Sequence, residues 1–366
     1  MPSDPVVVTL RPNQFTEKER VLARFGGLTA STFLYDSGVA GLRIANAVGH
    51  IDLLPFHGQQ IWDAVFRGRT LTMRSMFSEP IPTRDYLMNY GGFFLHCGAT
   101  AMGNPGPEDT HPLHGELPNA PYRDAALVVG EDEDGPFMEL TGRYQHTVAF
   151  AHNYVAQPTM RLGAESSRIT LDLSIRNLKH TPMELMYLAH INFRPVDGAV
   201  LIDAVPDDTD HIGFRTTLPS NFAPSDAFLG LIDDVQRDPA THRTMAAGRA
   251  IDPELVMTLA FPSDAAGWAH SMQLHPDGSA DFVSHRPGEL GKGVRWMTRT
   301  GDQDAVGIFL PATAGANGYV AEKAKGNVLM LDPQGEFRCR LAFGALEAPE
   351  AEALRKDIET VRAAPA

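Results

Sequence analysis

The segment Arg168-Ile169-Thr170-Leu171-Asp172-Leu173-Ser174-Ile175 alternates apolar and polar residues without a fault, and it constrains this chain more than any other feature. Side chains of an extended strand point to opposite faces in turn, so Ile169, Leu171, Leu173 and Ile175 share one face, and Thr170, Asp172 and Ser174 the other. Such a strand needs a sheet with one dry side. The same period returns where Phe337, Cys339, Leu341 and Phe343 alternate with Glu336, Arg338 and Arg340. Asp332-Pro333-Gln334-Gly335 supplies turn residues just before it, so the apolar run from Asn327 to Leu331 and this segment are expected to form a hairpin. Met183 to Ala189 is apolar almost throughout, which suits a central strand covered on both faces.

Shorter strand-like runs lie at Leu53 to Phe56, Phe93 to Cys97, Ala126 to Val129, Leu255 to Ala260 and Ala305 to Leu310, each bounded by Gly, Pro, Asn or Asp. Only residues 347–363 read as a helix, with Pro349 in the first turn and Leu354, Ile358 and Val361 at helical spacing; its expected role is to cap the sheet. Gly130 to Pro136 is an acidic turn, and the run Asp203 to Asp210 is expected to be a solvated loop. No repeat or linker divides the chain. The expectation is an all-β protein: one domain over residues 1–366, a large antiparallel β-sandwich with few short helices.

Charge narrows the function classes. Lys and Arg number 31 against 45 Asp and Glu, a formal charge of −14, which repels phosphate backbones and anionic lipid. No run of about 18 apolar residues suggests a spanning helix, and the first residues lack an export signal. Two cysteines, Cys97 and Cys339, cannot staple a scaffold. These features predict a cytoplasmic protein with reduced thiols and no nucleic-acid or membrane partner; an exposed sheet edge could join copies into a homo-oligomer. Dinucleotide, phosphate-loop and Gly-x-Ser-x-Gly signatures are missing, so the sequence points to no nucleotide cofactor and no serine hydrolase.

Chemistry concentrates in the histidines, of which there are 14. His114 stands in His111-Pro112-Leu113-His114-Gly115-Glu116-Leu117-Pro118, a loop stiffened by Gly and Pro that would hold an imidazole in place. His190 ends the apolar strand and leads into Ile191-Asn192-Phe193-Arg194-Pro195, so it should emerge at the rim of a sheet. With an unperturbed pKa of about 6.5, two such groups can share proton transfer near neutrality.

Four segments, in order, carry a resemblance: Gly91-Gly92-Phe93-Phe94-Leu95-His96-Cys97-Gly98, Leu113-His114-Gly115, Leu185 to Phe193, and Leu331-Asp332-Pro333-Gln334-Gly335-Glu336. Over residues 90–345 the sequence resembles the galactose mutarotase-like superfamily, the aldose 1-epimerases, and within it a poorly characterised subfamily. The resemblance implies a β-sandwich with a sugar cleft across one sheet. It further implies acid/base opening and closing of the sugar ring without a cofactor. By the same resemblance His190 takes the general-acid position, His114 binds the ring oxygen, and Asn192 and Arg84 hydrogen-bond the substrate. The superfamily's base, a Glu on a late strand, falls here on Leu310 or Phe309, which cannot take a proton. Glu116, Glu322 or one of the extra histidines are therefore the candidate substitutes, and His111 and His96 further substrate-binding candidates. Two other readings remain open: a divalent metal held by His111, His114, Glu116 and His190, acting on a keto sugar as an isomerase, epimerase or lyase, and a sugar-binding relative without catalysis. Trp62, Trp268 and Trp296 are each expected to be packed in the core rather than stacked on a sugar.

Overall fold

The computed structural model describes residues 4–208, 211–215 and 225–364. Among these residues the strands form two antiparallel sheets, one of nine strands and one of thirteen. The alternating segment is the strand Arg168–Asn177; its even-numbered residues are turned outward and Ile169, Leu171, Leu173 and Ile175 are buried. It pairs with Glu336–Leu346, register Ile169↔Phe343 and Leu173↔Cys339, so two amphipathic strands join their dry sides on one face of the nine-stranded sheet. Phe343 stacks on Phe94 of the other sheet with ring centroids 5.3 Å apart, and one apolar core fills the space between.

Met183–Ile191 runs inside the thirteen-stranded sheet and is buried on both faces, as its unbroken apolar sequence demands. The acidic turn joins the paired strands Asp124–Asp132 and Gly135–Val148. The other short runs fall in the strands Phe94–Ala99, Ile251–Leu259 and Asp304–Ala312, whereas the strand near Leu53 is Gly49–Leu53 and ends where the expected one began. Pro55 and the turn that follows it explain the shift, since proline donates no ladder hydrogen bond. The helix Ala348–Ala363 lies on the outer side of the nine-stranded sheet, where Ala351 and Ile358 pack with Met272, Phe282 and Ala342. Two helices escaped the sequence reading, Asp226–Arg237, capped by the Ser225 hydroxyl, and the short Tyr319–Ala324.

Two expectations are corrected. Leu329–Leu331 pairs with Met183–Leu185, while Glu336–Leu346 belongs to the other sheet, so the turn at Asp332–Gly335 carries the chain between layers and no hairpin forms. Turn residues fix a reversal, not the partner of either arm. Asp203 is not solvated: it is fully buried, with Arg295 Nη2 at 2.6 Å and Arg243 Nη1 at 2.9 Å. Thr209 and Asp210 lie outside the described residues.

Candidate active site

The two central imidazoles meet because neighbouring strands and one pinned loop deliver them. His190 pairs with Leu95 across the strand Phe94–Ala99. Beyond that strand's end the loop folds back: Gly98 N–H donates to the His114 carbonyl at 2.9 Å, and Glu116 and Leu117 N–H both donate to the Gly98 carbonyl. Gly115 makes this approach feasible, since at φ +79° a Cβ would sit 2.3 Å from the Ala101 carbonyl oxygen. His114 itself is held at φ +57°. Its ring lies edge-to-face with that of His190, centroids 5.6 Å apart.

Both rings line a cavity of ≈ 400 Å³, within the range of small-molecule sites. Its floor is the outer face of the thirteen-stranded sheet. Four strands contribute same-side residues: Leu188 and His190, then Leu310, then Val294, Trp296 and Thr298, then Glu254 and Val256. The cross-strand pairs Val294↔Leu310 and Val256↔Trp296 keep these side chains abreast. Tyr86, Tyr90 and Leu113 close it from the loop side. Tyr86 packs on His114 at 4.8 Å, Tyr90 on His190 at 5.5 Å, and Trp296 on His190 at 5.5 Å.

Polar contacts fix the rings further. Asn192 is fully buried; its Oδ1 lies 2.7 Å from His190 Nδ1, and its Nδ2 donates to the Gly92 carbonyl at 3.0 Å. Tyr90 Oη stands 3.4 Å from His190 Nε2 and 3.3 Å from Asn192 Oδ1. Trp296 Nε1 donates to Glu254 Oε2 at 2.6 Å, and Arg215 grips the other oxygen of Glu254. Burial lowers the His190 pKa to about 4 against the opposing bond to Asn192. His114 is driven well below its ordinary value, first by burial, then by the charges of His190, Arg215 and His111. Both imidazoles rest neutral at pH 7.

The structure thus brings His114 and His190 to one cavity, sets Asn192 behind His190 with its amide bonded to His190 and Gly92 and not in the wall as a substrate ligand, and leaves the other sequence candidates elsewhere. Glu116 points away from the cavity. Its carboxylate accepts from Ala99 N–H, Thr100 N–H, the Thr100 hydroxyl and the Tyr154 hydroxyl, so it buttresses the loop and takes no part in the cavity lining. Glu322 is buried among Gly315 N–H, Asn317, Asn327 and Lys325. Both carboxylates are consumed by local donors, which corrects the expectation that either replaces the base. Arg84 donates to the Glu116 carbonyl and does not reach the cavity wall. His96 faces the inter-sheet core, bonded to Tyr187 Oη at 2.8 Å, with its pKa pushed to about 3 by burial. Even-numbered register put it in the layer of Phe94, not in the cleft. His111 bonds the Pro112 carbonyl and receives Tyr319 N–H. With Glu116 and His111 so engaged, the four-ligand metal set does not converge, and among the described residues no group of three or more His, Cys, Asp or Glu is placed to hold a metal.

Removing the Glu116 side chain should leave two backbone N–H groups, the Thr100 hydroxyl and a phenol without this partner. Glu116→Ala is expected to destabilise the fold by at least about 1–3 kcal/mol, read as a lowered urea midpoint at unchanged slope.

Tyr90, Arg215, Glu254 and Trp296 were not picked out as site residues. Trp62 packs with Val39 and Leu54, Trp268 lies half-buried beneath Arg286 and outside the core, and Trp296, itself buried, stands in the cavity wall. The alternation Glu254, Val256 beside Val294, Trp296, Thr298 was available as a signal, yet only the pairing of those strands reveals that the sets share a face.

The chain has the galactose mutarotase-like fold. A proposed aldose 1-epimerase from Klebsiella pneumoniae subsp. pneumoniae superposes with a TM-score of 0.82 at 15% identity, over 98% of this chain and 96% of that one. A galactose mutarotase-like protein from Clostridium acetobutylicum gives 0.60 at 13% identity, over 88% and 99%. Galactose 1-epimerase from Lactobacillus acidophilus gives 0.52 at 11%, over 90% and 98%. Residues 36–202 match a family model described as a domain of unknown function, DUF4432. No curated protein matches the sequence. Among the described residues no helix is long and apolar enough to cross a membrane.

Proposed function

We propose that this protein is a cytoplasmic carbohydrate isomerase of the aldose 1-epimerase type, with residues 1–366 forming one domain. It opens and recloses the ring of a sugar or sugar derivative at the anomeric carbon, with no cofactor. The observation that carries the reading is the placement of two neutral imidazoles, 5.6 Å apart, in the lining of one ≈ 400 Å³ cavity. Groups able to exchange protons with two oxygens on the same carbon must converge in this way. Trp296 offers a flat apolar face to the C–H side of a pyranose, and Glu254 and Thr298 offer acceptors to its hydroxyls.

The test is anomer exchange followed by NMR on a panel of aldoses started from one anomer. Catalytic amounts of protein should accelerate equilibration of at least one sugar at neutral pH, with quenching of Trp296 fluorescence on binding. Quenching without acceleration for any sugar would leave a binding protein and end the enzymatic reading.

A further inference from the structure

Ring opening requires a base for the anomeric hydroxyl and a proton for the ring oxygen, and the cavity has an unusual supply of both. Leu310 sits in its wall and can exchange nothing. Of the carboxylates in the lining, Glu254 has one bond at each oxygen, to Trp296 Nε1 and to Arg215, and Asp252 and Asp302 are exposed residues. The two imidazoles, 5.6 Å apart in the same lining, are the pair of groups placed to serve one reacting centre, and their neighbours settle which nitrogen carries hydrogen.

For His190 the fixing group is Asn192. A backbone carbonyl only accepts, so the Asn192 amide must turn its Nδ2 to the Gly92 oxygen, 3.0 Å away, which leaves Oδ1 facing His190 Nδ1 at 2.7 Å. An amide oxygen also only accepts. Nδ1 of His190 therefore bears the hydrogen, and Nε2 of the neutral ring keeps its lone pair. His114 is set the other way. Its Nδ1 is sealed in protein without a partner, while Nε2 is not sealed and the ring lines the cavity. Orphaned buried N–H groups are rarer than under-used acceptors, so the hydrogen belongs on Nε2, directed to the ligand. Tyr90 Oη, within 3.4 Å of His190 Nε2 and 3.3 Å of Asn192 Oδ1, can pass its hydrogen to the amide when a ligand hydroxyl takes the imidazole.

We propose that His190 performs both proton transfers through Nε2, while His114 acts as a neutral hydrogen-bond donor to the ring oxygen, so that no carboxylate base is needed. The inference rests on the epimerase reading and assigns its steps. His190 Nε2 takes the anomeric hydroxyl proton, and the O–H electron pair becomes the second bond of the aldehyde. The bond from the anomeric carbon to the ring oxygen breaks, and its electron pair stays on that oxygen, steadied by His114 Nε2–H. The His190 imidazolium then protonates it. Rotation about the bond to the aldehyde carbon and the reverse sequence give the other anomer, with the protein returned to its starting state. Burial of His190 makes the neutral ring the resting form and its imidazolium a ready donor. Neutral imidazoles used as electrophiles in place of imidazolium are known in proton-transfer enzymes.

The test combines 15N NMR of the imidazoles in the ligand-free full chain with anomer exchange by His190→Ala, His114→Gln and Glu254→Gln. Expected are hydrogen on Nδ1 of His190 and on Nε2 of His114, a measurement that needs no variant to fold. His114→Gln, which can still donate, and Glu254→Gln should each keep exchange at least tenfold above His190→Ala. The opposite tautomers, or a Glu254→Gln or His114→Gln rate as low as that of His190→Ala, would overturn the assignment while leaving epimerase activity standing. A wild type that accelerates no sugar removes the epimerase reading itself, and this proposal with it.

Discussion

Replacing His190 with Ala is expected to lower the rate of catalysed anomer exchange by about 10² to 10⁴, the usual worth of a positioned acid/base group. The ring is buried between Tyr90 and Trp296 and its Nδ1 is tied to Asn192, so no other imidazole can swing into its place. The pH profile gives the sharper reading. An ordinary histidine base loses activity as pH falls through about 6.5. Here burial holds the pKa at about 4, so kcat/KM should stay level through pH 6 and fall only as pH approaches that value. An acid limb centred near 6.5 would show that His190 is not the titrating base. Asn192→Leu should move the limb as well, because the bond to Asn192 opposes the effect of burial.

The largest stability effect is expected at Asp203. It and Arg295 are both fully buried, and Arg243 bonds the same carboxylate. Asp203→Ala would leave the Arg295 guanidinium in the interior without its anion, while Arg243 keeps Asp207, a change that typically costs about 3–5 kcal/mol. Arg295 lies in the strand that also carries Val294 and Trp296, on the side turned away from the cavity, so the ion cluster supports the wall from behind. Burial works against ionisation of Asp203, yet Arg295 and Arg243 outweigh it and hold the pKa at about 2. The sign follows directly: the folded value lies below the unfolded one, so this stabilisation is present above about pH 4 and is lost as pH falls toward 2. Chemical denaturation at pH 7 should show the full loss in Asp203→Ala, and the gap to wild type should narrow in acid. Equal midpoints at pH 7 would mean that the cluster contributes nothing.

Much of the scaffold was legible in the order of residues. Strict alternation from Arg168 to Ile175 and from Glu336 to Phe343 gave two amphipathic strands, and the continuous apolar run from Met183 gave a strand covered on both sides. The hairpin expected around Asp332–Gly335 was wrong because its two arms are equally good partners for other strands. His114 and His190 could be singled out by context, a stiff loop and a strand end, and the structure brings them together. Glu116 and Glu322 looked available only because a sequence does not display the donors that occupy them.

Local chemistry, then, was set by the sequence itself: periodicity chose strands, glycine permitted the fold-back at Gly115, and imidazoles supplied groups that titrate in the useful range. Tertiary structure decided which of those imidazoles share a cavity, that Trp296 and Glu254 stand beside them, and that both rings are neutral. The reason is physical. Side-chain direction repeats every two residues and can be read along the chain, whereas burial and hydrogen-bond partners come from strands far away in sequence, paired in a register that no single segment encodes.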